Sequence, residues 1–371
     1  MKKNYTARVK ALKARRQFEG NSIALESIFK SESGNQTLNE SLNAYEVEEY
    51  EKRGKTSALQ YALGAMQEVD PKYTQISMDE ASRVSKQIVN GLANKNKDVE
   101  PELQGSLPIN VHLRRVSDVD ILILPTWYWS YASSGPAASS YNPSSQDKQS
   151  VAIALRKDCV DVLESAYPAA TVDDTGSKCI TVTGGSLRRE VDVVPAIWFD
   201  TVNYQKTRLK QDRAVQVFDK KNYQFNDNKP FLVQANIHSK DKLTQGGCKK
   251  TIRLLKTLKI DADDAIDFSS FNIMSIIHNM DNNLLIHNKI FEGSLIISLR
   301  DWMNYLGSNL SVLRELNAVD GSRKIIQKSQ DEIAFQNLRA EVNFLVDEIK
   351  VELAPTAAIR SDSILKDAIL F

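Results

Sequence analysis

Cysteine and histidine are scarce in this 371-residue chain, with three cysteines (Cys159, Cys179, Cys248) and four histidines (His112, His238, His278, His287). The cysteines are odd in number and far apart, which excludes a disulfide framework and a CxxC zinc site. That pattern fits a reducing cytosol, so a cytoplasmic location is expected. No window has the apolar length of a membrane span. The basic start, MKKNYTARVKALKARR, lacks the apolar run that would make it a signal peptide. No membrane partner is therefore expected. An excess of one charge is also missing: 48 Lys and Arg stand against 47 Asp and Glu. A net charge of +1 argues against a protein that permanently coats nucleic acid, while leaving room for a local basic groove. No internal repeat is found.

What is present is ordinary for a globular protein: 42% hydrophobic and 26% charged residues, in a length that suits one large domain or two. Residues 1–55 read as a charged, helical N-terminal extension. ALKARRQF and NSIALESIFK have helical spacing, SESGNQTLNES interrupts them, and a solvated helix face is expected. Two amphipathic helices follow, TSALQYALGAMQEV and DEASRVSKQIVNGLA. The segment PTWYWSYASSGPAASSYNPSSQDKQS is too long for an ordinary connection and is either a functional lid or a disordered insertion. A helix over Gln149 to Ala166 closes at Pro168. Thr181 to Thr183, the Gly184-Gly185 turn and Glu190 to Trp198 read as a hairpin. Beyond Tyr204 the character turns helical, which places a lobe boundary near Gln205. The expected organisation is a core over 56–205 and a helical C-terminal lobe over 206–371.

The stretch with chemical content is GSLPINVHLRRVSDVDILIL, Gly105 to Leu124. Asp118 and Asp120 are two residues apart at the head of a strand, so both point to one face while Val119 points to the other. The unbroken run Ile121 to Leu124 is that of a strand buried on both faces. Two carboxylates at its lip need neutralising partners, and a pair of hard cations, Mg2+ or Mn2+, would supply them. In REVDVVPA, Asp192 alternates with Val191 and Val193 and faces away from both. Two carboxylates on one strand and a third on a neighbour are what two-metal phosphoryl transfer requires. The Gly105-Ser106 turn suits a phosphate, because glycine permits close backbone approach and serine adds a hydroxyl donor. A second such pair, Gly185-Ser186, lies six residues before Asp192 and is explained by the hairpin alone. Asp158, Asp161 and the Asp261 to Asp264 cluster read as structural.

A helix, GS, eleven residues, DVD on an apolar strand and a hairpin strand with one aspartate together resemble the polymerase-β-like nucleotidyltransferases. Within them the chain is most similar to the CD-NTase family, bacterial relatives of cyclic GMP-AMP synthase and oligoadenylate synthetase. CKKTIRLLKTLK and DFSSFNIMSII resemble the helix and the Ser-aromatic turn by which that family grips the donor triphosphate and stacks its base. The likeness extends from about Asp79 to about Met280.

The resemblance implies metal ligation by Asp118, Asp120 and Asp192, and phosphate contacts from Ser106, Ser270 and either Lys250 or Lys256. It also implies stacking of Phe271 on a nucleobase. Around Lys250 the helix has Ile252, Leu254, Leu255 and Leu258 as its core. Lys249, Lys250, Arg253, Lys256 and Lys259 fall outside it, and which of them meets the triphosphate stays open. The implied fold is α/β, a small mixed sheet bearing the acidic site and a helical second lobe closing a nucleotide cleft. The implied activity is metal-dependent synthesis of a cyclic oligonucleotide second messenger from NTPs. The resemblance further implies release of pyrophosphate, a separate effector protein that responds to the product, and a role in antiphage defence. The enzyme is expected to be a monomer. Without a Cys/His cluster, DNA activation through a zinc insertion is not expected, and the C-terminal DAILF does not suit conjugation to a target. The rivals are a linear or RNA-extending nucleotidyltransferase and a non-catalytic nucleotide-binding module.

Overall fold

A computed structural model of the chain describes residues 3–17, 47–287, 291–356 and 361–366. The NSIALESIFK and SESGNQTLNES segments and the C-terminal DAILF lie outside the described residues. The chain divides into two compact units. A sheet-bearing unit comprises residues 70–112 and 116–236, and a helical unit comprises 1–69, 113–115 and 237–371. The boundary expected near Gln205 is thus corrected to 236/237, because two further strands follow that residue.

The helical unit opens with α1 (Tyr5–Gln17) and α2 (Ser57–Met66). In the sheet-bearing unit, α3 (Pro71–Ala93) starts at Asp70, whose side chain accepts from the Lys72 amide at 2.7 Å, with Pro71 in the first turn. Ala81, Val84, Ile88 and Leu92 form its buried stripe. Strands β1 (Val99–Gln104), β2 (Val119–Pro125) and β3 (Trp129–Tyr131) follow. Helix α4 (Lys148–Ala166) is capped by Asp147 through the Ser150 amide at 2.8 Å. Then come β4 (Ala170–Asp173), β5 (Ile180–Gly184), β6 (Val191–Asp200), β7 (Ala214–Asp219) and β8 (Gln224–Asn228).

These eight strands make one mixed sheet in the order β1-β2-β6-β5-β4, with β3 and β7 on the far half of β6 and β8 beyond β7. Strand β6 is long enough to serve both halves. It runs parallel to β2 from Val191 to Pro195, and pairs with β7 from Ala196 to Phe199. Its proline falls where β5 has stopped pairing, at Val193, and β7 has not begun. A residue with no N–H is tolerated at such a point.

Both faces of β2 are covered. Val119, Ile121 and Ile123 pack with Val191, Val193 and the stripes of α3 and α4, while Leu122 and Leu124 pack with Val194, Trp198, Val215 and Phe231. Burial of side chains such as Ile88, Leu92 and Ile121 contributes about 1.5–3 kcal/mol each. The aromatic segment after β2 is ordered by its own contacts. Tyr131 stacks on Tyr141 at 4.4 Å, the Tyr141 hydroxyl donates to the buried Asp200 at 2.8 Å, and Gln205 Nε2 donates to the Ala132 carbonyl at 2.8 Å. Disorder, one of its two expected readings, is corrected: side-chain contacts hold this long connection against the end of β6.

The chain leaves this unit within α5 (Pro230–Leu243) and continues as α6 (Gly247–Ile260), α7 (Ser270–His278), α8 (Gly293–Ser308) and α9 (Ser329–Leu353). Helix α1 is no solvated appendage, which corrects the solvated face expected for this segment. Tyr5, Leu12 and Ala14 are buried, and its cations find carboxylates. Arg8 donates to Glu341 at 2.9 Å, and Arg15 Nη2 donates to Asp261 at 2.7 Å. Among the described residues no helix is long and apolar enough to cross a membrane.

Candidate active site

The register of β2 on β6 pairs Asp120 with Asp192 and Val119 with Val191. Parallel neighbours in register put their side chains on the same face, so the two carboxylates share the face of Leu122 and Val194. Asp118 precedes β2 by one residue and is exposed at its mouth. Crowding by surrounding protein, and then the charge of Asp192, raise the Asp118 carboxyl above the usual range. The three aspartates singled out from the sequence therefore come together.

On the other side of β2, Gln104 pairs with Asp120, and the chain turns at Gly105 with φ +74°. A Cβ at this position would overlap the Oδ2 oxygen of Asp120. Glycine is thus required both by the left-handed backbone and by the carboxylate against it. The turn is closed by the Val111 amide donating to the Ser106 carbonyl at 3.1 Å, and is anchored by buried Leu107, Ile109 and Val111. Ser106 is half-buried beside it.

Two residues of the site escaped the sequence reading. Glu190 stands two before Asp192, the same interval as Asp118 to Asp120, and that repeated spacing was the available signal. Loss of solvent around the carboxyl, then the charges of Asp118 and Asp192, raise the pKa of this exposed residue. Thr181 lies opposite Asp192 in the β5–β6 register, and its hydroxyl donates to Asp192 Oδ1 at 2.6 Å. The second GS pair behaves as a hairpin turn: Arg83 donates to the Ser186 carbonyl at 2.9 Å.

Like charges held together in this way are relieved by a hard cation, and every donor in the group is a carboxylate oxygen, which suits Mg2+ or Mn2+. Among the described residues, no three His, Cys, Asp or Glu side chains already converge on one cation-sized point. The aspartates thus fit a cation by chemistry and register rather than by a closed cage. The thiols are held in their protonated form: burial pushes Cys159 and Cys248 up to about 12, and burial and then Asp192 raise Cys179, the one nearest the site.

The remaining four predicted residues belong to the helical unit. Lys250 is paired with Glu292, which also accepts from Arg53 at 2.6 Å. Burial pushes the Glu292 carboxyl up, but hydrogen bonds from His287 and Lys250 outweigh it and bring the group down to about 2. Lys256 is only 4% exposed. Arg253, expected outside the helix core with Lys256, is also buried; its Nε donates to the Met66 carbonyl at 2.8 Å, and desolvation lowers it to about 10. Both placements correct the expected basic face of α6, because neighbouring helices cover that side too. Ser269, not Ser270, caps α7, accepting from the Asn272 amide at 3.0 Å. Ser270 is exposed at the first position of the helix, and Phe271 is half-buried with the Arg323 guanidinium 5.3 Å from its ring centre.

Residues 235–350 match the family model of the cGAS/DncV-like nucleotidyltransferase C-terminal helical domain. The chain is 41% identical over 310 residues to the cyclic dinucleotide synthase CdnE of Yersinia aleksiciae, covering 82% of this chain and 80% of that protein. It is 28% identical over 316 residues to a c-di-GMP synthase of Capnocytophaga granulosa, covering 79% of this chain and 86% of that protein. The structure of the STING-associated CdnE c-di-GMP synthase from Capnocytophaga granulosa superimposes with a TM-score of 0.72 at 25% identity, over 95% of this chain and all of that one. The chain belongs to the CD-NTase family of cGAS/DncV-like nucleotidyltransferases. Its α/β fold, with a mixed sheet and a helical unit, is that of the family.

Proposed function

We propose that the chain joins two nucleoside triphosphates into a cyclic dinucleotide, releasing pyrophosphate as each bond forms. The observation that carries this reading is the in-register pair Asp120 and Asp192, with Gly105 lying against Asp120, in a chain 41% identical to a cyclic dinucleotide synthase. Two divalent cations, Mg2+ or Mn2+, held by Asp118, Asp120 and Asp192, would neutralise the triphosphate and acidify the attacking ribose hydroxyl.

The chain's own residues bind and orient. Gly105 lets the backbone approach a donor phosphate, and Ser106 adds a hydroxyl donor beside it. Asp192 faces the acceptor hydroxyl and orients it for attack. Ser270, and Lys250 or Lys256, contact phosphate, and Phe271 stacks on a base. For Lys250 this role requires leaving Glu292, and for Lys256 it requires uncovering a side chain that is buried in α6. After the first bond the linear intermediate re-binds, so that its own hydroxyl attacks the remaining triphosphate. The product acts on a separate effector protein in antiphage defence, a reading supported by the STING-associated relative.

Purified protein incubated with each labelled NTP and Mg2+ or Mn2+, then with phosphatase, tests this. Three relatives are c-di-GMP synthases, so GTP is the first substrate to try. Phosphatase-resistant product of dinucleotide mass is expected. A phosphatase-sensitive ladder would favour the linear or RNA-extending enzyme, and absence of incorporation with every metal would favour a binding module.

A further inference from the structure

We infer that Thr181 is a positioning residue for the reaction: its hydroxyl fixes the orientation of the Asp192 carboxylate from the strand opposite Asp120. The inference rests on the reading of Asp192 given under the proposed function and adds a residue on β5 to that site. Asp192 has a neighbour on each side within the sheet, Asp120 across the parallel β2 register and Thr181 across the antiparallel β5 register. Directly opposed residues of an antiparallel pair project to the same face with Cβ atoms about 5 Å apart. Thr181 therefore reaches Asp192 without any departure from sheet geometry.

The contact itself is short, 2.6 Å from Thr181 Oγ1 to Asp192 Oδ1. That length is characteristic of a hydroxyl donating to an ionised carboxylate. A hydroxyl has a single proton, and here it is committed to one oxygen, which pins the carboxylate plane and leaves the remaining lone pairs for a cation or an acceptor hydroxyl. The donor is well held for such a task. Threonine is β-branched and stiff at χ1, Thr181 lies between buried Ile180 and Val182, and the Cys179 sulfur sits 3.9 Å from its oxygen. A carboxylate placed this way binds a cation or an acceptor without first losing rotamer freedom. Outer partners of cation-holding side chains typically change affinity or activity about 10–100-fold when removed.

The test uses the full chain with Thr181→Val, which keeps the shape and removes the proton donor, and Thr181→Ser, which restores it. In Thr181→Val we expect kcat to fall about tenfold or more with the KM for NTP little changed, and the Mn2+ concentration for half-maximal activity to rise by a similar factor. Mn2+ binding followed calorimetrically with a non-hydrolysable NTP analogue should weaken in parallel, and Thr181→Ser should recover both. Thr181→Ala serves as a second donor-free variant if the valine protein does not fold. Wild-type Mn2+ dependence and kcat in a folded donor-free variant, alongside an inactive Asp192→Asn, would overturn the inference alone. An active Asp192→Asn would instead remove the reading on which it rests.

Discussion

Asp120 and Asp192 face each other across two parallel strands, each at the point where its strand begins to be buried on both sides. Sheet register holds them there, so their spacing does not depend on loop conformation. Bringing two carboxylates together in this way is unfavourable without a counter-charge. The sheet's hydrophobic faces supply the stability that maintains the pair.

Asp120→Asn and Asp192→Asn should each abolish nucleotide incorporation, by more than the 10–100-fold that follows loss of an outer partner. Asp192→Asn removes the charge that raises the Asp118 and Glu190 carboxyls, so its metal-free melting temperature should hold or rise. Incorporation assays and thermal denaturation in EDTA check the two outcomes together. Retained turnover in either variant would sink the assignment.

A pH dependence follows from Asp118 and Glu190, whose pKa values are raised, each by desolvation and then by neighbouring carboxylates. In the window above the ordinary carboxylate pKa, the folded chain keeps protons that the unfolded chain has released. Their contribution to stability therefore falls as pH rises through that window. A divalent cation competes with those protons. Its stabilising effect on the melting temperature should be larger at pH 7.5 than at pH 4.5, and Asp118→Asn should reduce the difference. Melting curves with and without Mn2+ at both pH values measure it.

The acidic strand was legible as an unbroken apolar run headed by DVD, the hairpin by the alternation in ITVTG and its Gly-Gly turn, and α3 by its three- and four-residue steps. Strands β7 and β8 were not. AVQVFD is buried throughout and QFNDN is almost wholly polar, so neither shows the alternation of a half-buried strand. Helix α1 read as solvated because the carboxylates that receive Arg8 and Arg15 lie more than 240 residues away. Thr181 looked like any strand threonine. Only the register of β5 against β6 reveals that it donates to Asp192, and pairing register across a hairpin loop is not written in either strand alone.

In the helical unit, Glu292 should carry acid-side stability. It is 4% exposed, paired with Lys250 and Arg53, and held at about 2. A lowered carboxylate pKa stabilises above its ordinary value and loses that contribution as pH falls from about 4.5 toward 2. Glu292→Gln should lower stability at pH 7 by about 3 kcal/mol, since the half-buried Lys250 and Arg53 lose the buried counter-charge they share. It should also flatten the decline over that acid window. Urea denaturation at pH 7 and at successively lower pH values tests both statements.

Two glycines separate backbone strain from the requirements of the site. Gly105 and Gly184 have nearly the same backbone angle, φ +74° and +78°. A side chain in the left-handed region costs about 1–2 kcal/mol in either place. Their surroundings differ. A Cβ at Gly184 would meet nothing within 4 Å, whereas one at Gly105 would overlap Asp120 Oδ2. Gly184→Ala should therefore lose only that increment of stability and keep its incorporation rate. Gly105→Ala should lose more stability, and its activity should disappear because the intruding methyl displaces the carboxylate and fills the turn meant for phosphate. Chemical denaturation gives the first comparison and initial rates with labelled GTP give the second. Equal activity in the two variants would show that Asp120 tolerates displacement, and would remove the Gly105 turn from the site.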